Sequence, residues 1–196
     1  IFANRLVRSL LDFVPGLNAV NQLGKLQWHV NEPGDRHFDH VVLEAPASGH
    51  AISTLRSASI IHQMAPPGPM RRDTGKIVEM LRDPERTAVH VVTLATELSC
   101  SEAVDLAAAL RQRAAVPLGL LICNRIVPVP PAGDPPPGAP KWAQFIAREA
   151  ASGRAQGVLL ERTAKTVQLP MLELPEIAGS GRIVVEALAP ILAAAG

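Results

Sequence analysis

Residues 38–50 read FDHVVLEAPASGH, and how this stretch folds decides the architecture. Phe38 to Leu43 is mostly apolar and contains the β-branched pair Val41-Val42. That is the pattern of a strand buried on both faces of a parallel sheet. Glu44 then sets a carboxylate at the carboxyl end of the predicted strand, and Pro46, Ser48 and Gly49 break the pattern at once. In open α/β sheets, ligands bind outside the carboxyl ends of the strands. A strand-end acid followed by a loop of small residues ending in Gly49-His50 therefore predicts a place where a nucleotide and its Mg²⁺ are sensed.

The chain on either side alternates helical and strand patterns. Upstream, apolar residues at Phe2, Leu6, Val7, Leu10 and Leu11 have helical spacing over 2–12, and Pro15-Gly16 stops that helix. A second helix is predicted over 17–28, followed by a polar loop at 31–37. Downstream, helices are predicted over 51–64, with Ile52, Leu55, Ile60 and Ile61 inward, and over 73–82, capped by Asp73 or Thr74. Residues 87–95 read as a strand, and Ser99 with Glu102 forms a capping box opening a helix that runs to about Ala115. LGLLIC at 118–123 is another buried strand and ends in Asn124-Arg125. A helix over 141–152, a short strand over 166–172 and a helix over 183–195 complete the chain. Strands that are apolar throughout and alternate with helices predict an α/β fold, a parallel sheet flanked by helices.

Seven prolines fall in the fourteen positions 127–140. Such a segment has polyproline character and is too long for an ordinary connection. The 196 residues include 19 basic and 18 acidic side chains, for a net charge of +1. That balance gives no bulk attraction to nucleic acid or to anionic membrane. Aromatics make up only 3% and tyrosine is absent, so the core must be aliphatic. Cys100 and Cys123 lack a CxxC partner and read as buried free thiols of a reducing, cytoplasmic compartment. No apolar run reaches the ~18 residues of a transmembrane candidate. Arg5 and Arg8 make the first helix amphipathic rather than a signal sequence.

The order of these motifs resembles the arsenical-pump and tail-anchored-protein-targeting ATPases, a family of deviant P-loop ATPases. VPGLNAVNQLGKL at 14–26 is similar to the family's helix before switch II, and VVLEAPASGH at 41–50 to its switch II sequence. LRDPERTAVHVVTLATELSCSEAVDLAAAL at 81–110 resembles its helix–strand–helix around an Asp-Pro. LLICNRIVP at 120–128 is similar to the strand end bearing its adenine-site Asn, and VQLPMLELPEIAG at 167–179 to its late loop. The resemblance spans nearly the whole chain but only the C-terminal portion of that P-loop NTPase-like domain, leaving the fold incomplete at the N-terminus. It implies ATP and Mg²⁺ as ligands, ATP hydrolysis that drives a conformational change on an unidentified protein partner, and a homodimer or paralogue heterodimer.

The same resemblance implies roles for particular residues. Glu44 stands where the switch II Asp helps hold Mg²⁺ through water, and Gly49 and His50 match the Gly-His that responds to the γ-phosphate. Asn124 matches the Asn whose amide reads the adenine edge, a group that offers donor and acceptor in one plane. Leu169 and Pro170 fall where the late loop covers the base. There are also departures. Glu44 is one methylene longer than Asp, Thr96 stands where Pro is frequent, and there is neither a Met-rich insertion nor a CxxC. The phosphate-binding loop G-K-G-G-x-G-K-S/T occurs nowhere in the 196 residues, so this stretch by itself is expected to be inactive.

Plainer readings compete for each residue. Glu44 and His50 also suit a solvated turn, and Asn124 a cap or turn. His37 and His40, three apart across a loop–strand junction, do not converge as a metal pair would on a helix. The sequence thus leaves two functional classes. One is the switch II and adenine-binding portion of an ATPase. The other is a non-catalytic scaffold or paired subunit that docks through its Pro-rich segment.

Overall fold

The computed structural model describes residues 16–31, 38–45, 48–127, 137–138 and 140–195. The helix predicted over 2–12 and most of the Pro-rich stretch lie outside them. The chain divides into two compact units, Ile1–Ala88 with Ala109–Pro117, and Val89–Ala108 with Leu118–Gly196.

The first unit is helical. Helices α1 (Leu17–Asn31), α2 (Ser48–Met64) and α3 (Pro69–Arg82) pack against one another. Leu23, Ile77, Met80 and Leu81 fill the core. The buried face of α2 is not the predicted set of large residues. It is small, made of Ala51, Thr54, Ser57 and Ala58, while Ile60 and Met64 are exposed. Small residues let neighbouring helices approach closely, and that outweighs burial of the longer side chains. Helix α3 begins four residues before the predicted cap because Pro69 takes its first position. There its fixed φ suits the helix and its missing N–H costs nothing. Thr74 is consequently interior, and its hydroxyl donates to the carbonyl of Met70 at 2.7 Å.

The strand predicted over 38–44 is not formed. Phe38–Ala45 is exposed and lacks strand pairing, with Val42 at 93% exposure. A strand is stabilised by its neighbours, and the run has no paired neighbour among the described residues. What holds it is local. The Phe38 N–H donates to the His29 carbonyl at 3.2 Å, and the Phe38 and His29 rings meet edge-on with centroids 5.4 Å apart.

Gly75 on α3 gives a first expected result. His62 on α2 hydrogen-bonds through Nδ1 to the Arg71 carbonyl at 2.8 Å, and a Cβ on Gly75 would lie 3.1 Å from its Cε1. Gly75→Ala gains ~1 kcal/mol of helix propensity but must push the imidazole off that carbonyl. We expect thermal stability to change by less than ~1 kcal/mol, with the His62 ring resonances displaced in an NMR spectrum. Unchanged resonances would refute the contact.

The second unit carries the sheet. Strands β1 (Val89–Leu94), β2 (Leu118–Ile126) and β3 (Met171–Pro175) are all parallel, in the order β1-β2-β3. The α/β fold class read from the sequence is therefore the one formed, an open parallel sheet with helices, consistent with part of a P-loop NTPase-like fold. Helix α4 (Glu97–Ala109) starts after Thr96, whose Oγ1 accepts from the Ser99 N–H at 3.3 Å. The cap is thus Thr96, and the predicted capping box lies inside the helix. The π-helical turn that follows, Leu110–Ala114, belongs to the first unit and ends in left-handed Ala115 before Pro117.

Helix α5 (Lys141–Val167) is 27 residues long and packs on β2. It runs fifteen residues past its predicted end, because Leu160, Thr163 and Val167 continue its buried face. Left-handed Gln168 terminates it, so β3 begins five residues later than predicted. Helix α6 (Arg182–Ala195) packs on β3.

Candidate functional site

The candidate residues fall into both units. Glu44, Gly49 and His50 belong to the first unit. Glu44 is exposed in the extended segment, rather than at a strand end. Gly49 and His50 lie in the first turn of α2, exposed, and nothing stands within 4 Å of a Cβ built on Gly49. The Ser53 hydroxyl donates to the Gly49 carbonyl at 3.2 Å. The first turn of α2 contains no acidic residue of its own to oppose the positive end of the helix dipole.

Asn124 lies in the second unit, toward the carboxyl end of the middle strand, opposite Leu94 of β1. Its placement depends on a bulge. Cys123 pairs with Glu173 and Ile126 with Pro175, so β2 carries one residue more than β3 between these two pairs. Arg125 absorbs the extra residue by adopting φ 57°. Bulges of this kind re-aim side chains at sheet ends. The Asn124 Oδ1 accepts from the Arg125 N–H at 2.9 Å, and the half-buried amide has its NH₂ free of described partners. The Arg125 guanidinium reaches Glu176 at 2.6 Å, and the Glu176 N–H donates to the Ile126 carbonyl at 2.9 Å. The start of the 176–181 loop is thereby tied to the end of β2. The pair is largely solvated, so its contribution is geometric, worth at most ~1 kcal/mol.

Leu169 and Pro170 do not join Asn124. They precede β3, and the Pro170 carbonyl accepts from the Leu121 N–H at 2.9 Å. In a parallel sheet, that is the amino end of β3, whereas Asn124 lies level with its carboxyl end. The residues that do neighbour Asn124 are Arg125, Pro175 and Glu176. The second Leu-Pro of LPMLELP, at Leu174-Pro175, was the signal for them, since a proline suits the last position of an edge strand.

Next to Asn124 along β2, Cys123 is completely buried, in register with Thr93 and Glu173. Burial, then the Glu173 carboxylate and Cys100, push its thiol from 9.0 up to about 12. Cys123 is therefore a packed neutral thiol at neutral pH.

The residues can be tested against Mg²⁺ and ATP. Among the described residues no three His, Cys, Asp or Glu side chains converge. Mg²⁺ is commonly held by one or two carboxylates together with substrate phosphates and water. One exposed carboxylate at Glu44 fits that role only as a partner to a nucleotide's own phosphates. No described helix is long and apolar enough to cross a membrane.

No protein-family model matches the chain. Mycobacterial proteins do. The chain is 29% identical over 117 residues to the ATPase BagA of Mycobacterium tuberculosis, and equally to a Mycobacterium bovis protein that carries an ATPase name. The match takes in 58% of this chain and 34% of each relative, so it spans about a third of the relatives' length. The chain is thus distantly similar to proteins named as ATPases.

Proposed function

We propose that this chain supplies the adenine site and the nucleotide-sensing switch of an ATPase of the arsenical-pump type, turnover of which moves a protein partner. The observation that carries the reading is Asn124. An amide whose NH₂ has no partner among the described residues, at the carboxyl end of the central parallel strand and set by a bulge, suits the edge of a purine. The likeness to proteins named ATPase supports it. In this reading Asn124 reads the base, while the 176–181 loop, rather than Leu169-Pro170, covers it. Glu44 holds Mg²⁺ through water against the phosphates, and Gly49 and His50 report on the γ-phosphate. ATP and Mg²⁺ supply the reactive phosphoryl group and its charge neutralisation. The residues of this chain bind and orient them.

The phosphate loop is not among the 196 residues. In this proposal it comes from polypeptide beyond them or from a paired subunit. Among the described residues β1 is an edge strand, which suits such a continuation. A cytoplasmic homodimer or paralogue pair around nucleotide completes the proposal.

The test uses the intact gene product. Asn124→Ala is expected to weaken ATP binding about tenfold, the loss of roughly one hydrogen-bonded contact. It should reduce the preference for ATP over GTP, measured by competition. Glu44→Gln should leave binding nearly unchanged and lower turnover. An intact protein that binds no ATP overturns the reading and favours the non-catalytic paired subunit.

A further inference from the structure

Among the described residues, Ala115, Arg125 and Gln168 have left-handed backbones without being glycine. Ala115 and Gln168 each close a helical segment, a common place for that conformation. Arg125 closes none. It lies near the end of β2 with φ 57°, and a bulge with a left-handed residue ordinarily takes glycine there. A side chain retained where glycine would sit without strain is accounted for by what that side chain touches.

The Arg125 guanidinium reaches Glu176, 51 positions along the chain. Its Nε donates to Oε1 at 3.2 Å and its Nη2 to the same oxygen at 2.6 Å. The two side chains are 66% and 43% exposed. An ion pair so solvated stabilises the fold by about as little as the left-handed backbone costs it. The two effects nearly cancel, and what the pair contributes is geometry. The Glu176 N–H also donates to the Ile126 carbonyl at 2.9 Å. In the other direction, the Arg125 N–H donates to Asn124 Oδ1 at 2.9 Å. One residue therefore holds the Asn124 amide with its main chain and the first residue of the 176–181 loop with its side chain. Further along, that loop has positive φ at Gly179 and Gly181, and glycines restrain a backbone least.

We propose that Arg125 and Glu176 are positioning residues for the nucleotide base, their ion pair holding the Asn124 amide and the 176–181 loop in one arrangement before a base arrives. The proposal rests on the reading of Asn124 as the adenine-site residue. Neither charged side chain touches the base in it; both act through Asn124 and the loop. With amide and loop already ordered, binding loses less conformational freedom. The gain falls on the base and not on the phosphates, which are held elsewhere in this reading.

The experiment uses the intact gene product and two probes, Mg-ATP and Mg-tripolyphosphate, the second having phosphates but no base. Arg125→Gly is expected to keep or raise the melting temperature, because glycine suits the left-handed position. It should lower the ratio of ATP affinity to tripolyphosphate affinity about tenfold. Glu176→Ala, at an exposed position, should lower the same ratio. The double variant should be no weaker than the weaker single one, since both changes break one pair. Arg125→Lys keeps the charge without the guanidinium fork and should recover part of the loss. An unchanged ratio in Arg125→Gly, additive losses in the double variant, or a melting temperature lowered in both single variants each overturns the proposal. Asn124→Ala separates this failure from that of the adenine-site reading. If it weakens ATP while the Arg125 and Glu176 variants do not, the reading stands and the role of the pair falls. If the wild-type protein binds no ATP, or Asn124→Ala changes nothing, the reading falls and the pair's role with it.

Discussion

Leu121→Ala is expected to cost about 3 kcal/mol of unfolding free energy, roughly a hundredfold in the folding equilibrium constant. Leu121 has no exposed surface and sits on the middle strand, in register with Val91 on one side and Met171 on the other. Its N–H also holds the Pro170 carbonyl at 2.9 Å, which anchors the entry into β3. Both flanking strands are fixed by their own ladders, so little can collapse into the space left by the lost methyl groups, and the cavity cost adds to the transfer cost. Val92→Ala, one residue along the pairing strand but largely exposed, should cost less than ~0.5 kcal/mol. Urea titration followed by circular dichroism separates the two. The midpoint for Leu121→Ala should fall with an unchanged slope, and equal midpoints for both variants would contradict the burial on which the sheet is built.

That contrast marks what could be read in the sequence. LGLLIC and HVVTL are uninterrupted apolar runs between turn signals, and both became strands. FDHVVL has the same pattern and did not. Periodicity reports what a segment can bury, whereas a strand also needs a neighbour to pair with, and that neighbour is not encoded locally. Helix ends failed for a related reason. Asp73 and Ser99 are good caps by type, but Pro69 as first helical residue and Thr96 as cap start their helices earlier. Asn124 was singled out by the resemblance of LLICNRIVP, and its place near the end of a strand could be read because it follows an apolar run. The bulge that aims it could not, since left-handed Arg125 carries no compositional mark of the kind a glycine would give. Pro170 was assigned to the adenine site only by the resemblance of VQLPMLELPEIAG to the family's late loop, and that segment contains Leu-Pro twice. Only the strand register shows that the first lies at the amino end of β3 and the second at its carboxyl end.

The stability of this protein should fall steeply above pH 9 through Cys123. In the fold, burial first, and then Glu173 and Cys100, raise its thiol from 9.0 to about 12. Between those values the unfolded chain has released the proton and the folded chain still holds it, so rising pH draws the equilibrium toward unfolding. The contribution is fully present below about pH 9 and is lost progressively toward pH 12. At 1.36 kcal/mol for each pKa unit, the loss reaches on the order of 4 kcal/mol. The chain has no tyrosine, so the phenol ionisation that normally overlaps this range is absent. Cys123→Val keeps the site apolar and removes the titrating group. It should flatten the alkaline slope while changing neutral-pH stability by less than ~1.5 kcal/mol. Denaturant midpoints taken between pH 8 and about pH 11 decide the matter. Parallel slopes for the two proteins would mean that the Cys123 thiol reaches solvent, and iodoacetamide would then alkylate it in the folded state at mildly alkaline pH. A slope confined to the wild-type chain, with a thiol that resists alkylation until the chain unfolds, fixes Cys123 as a closed part of the sheet's core.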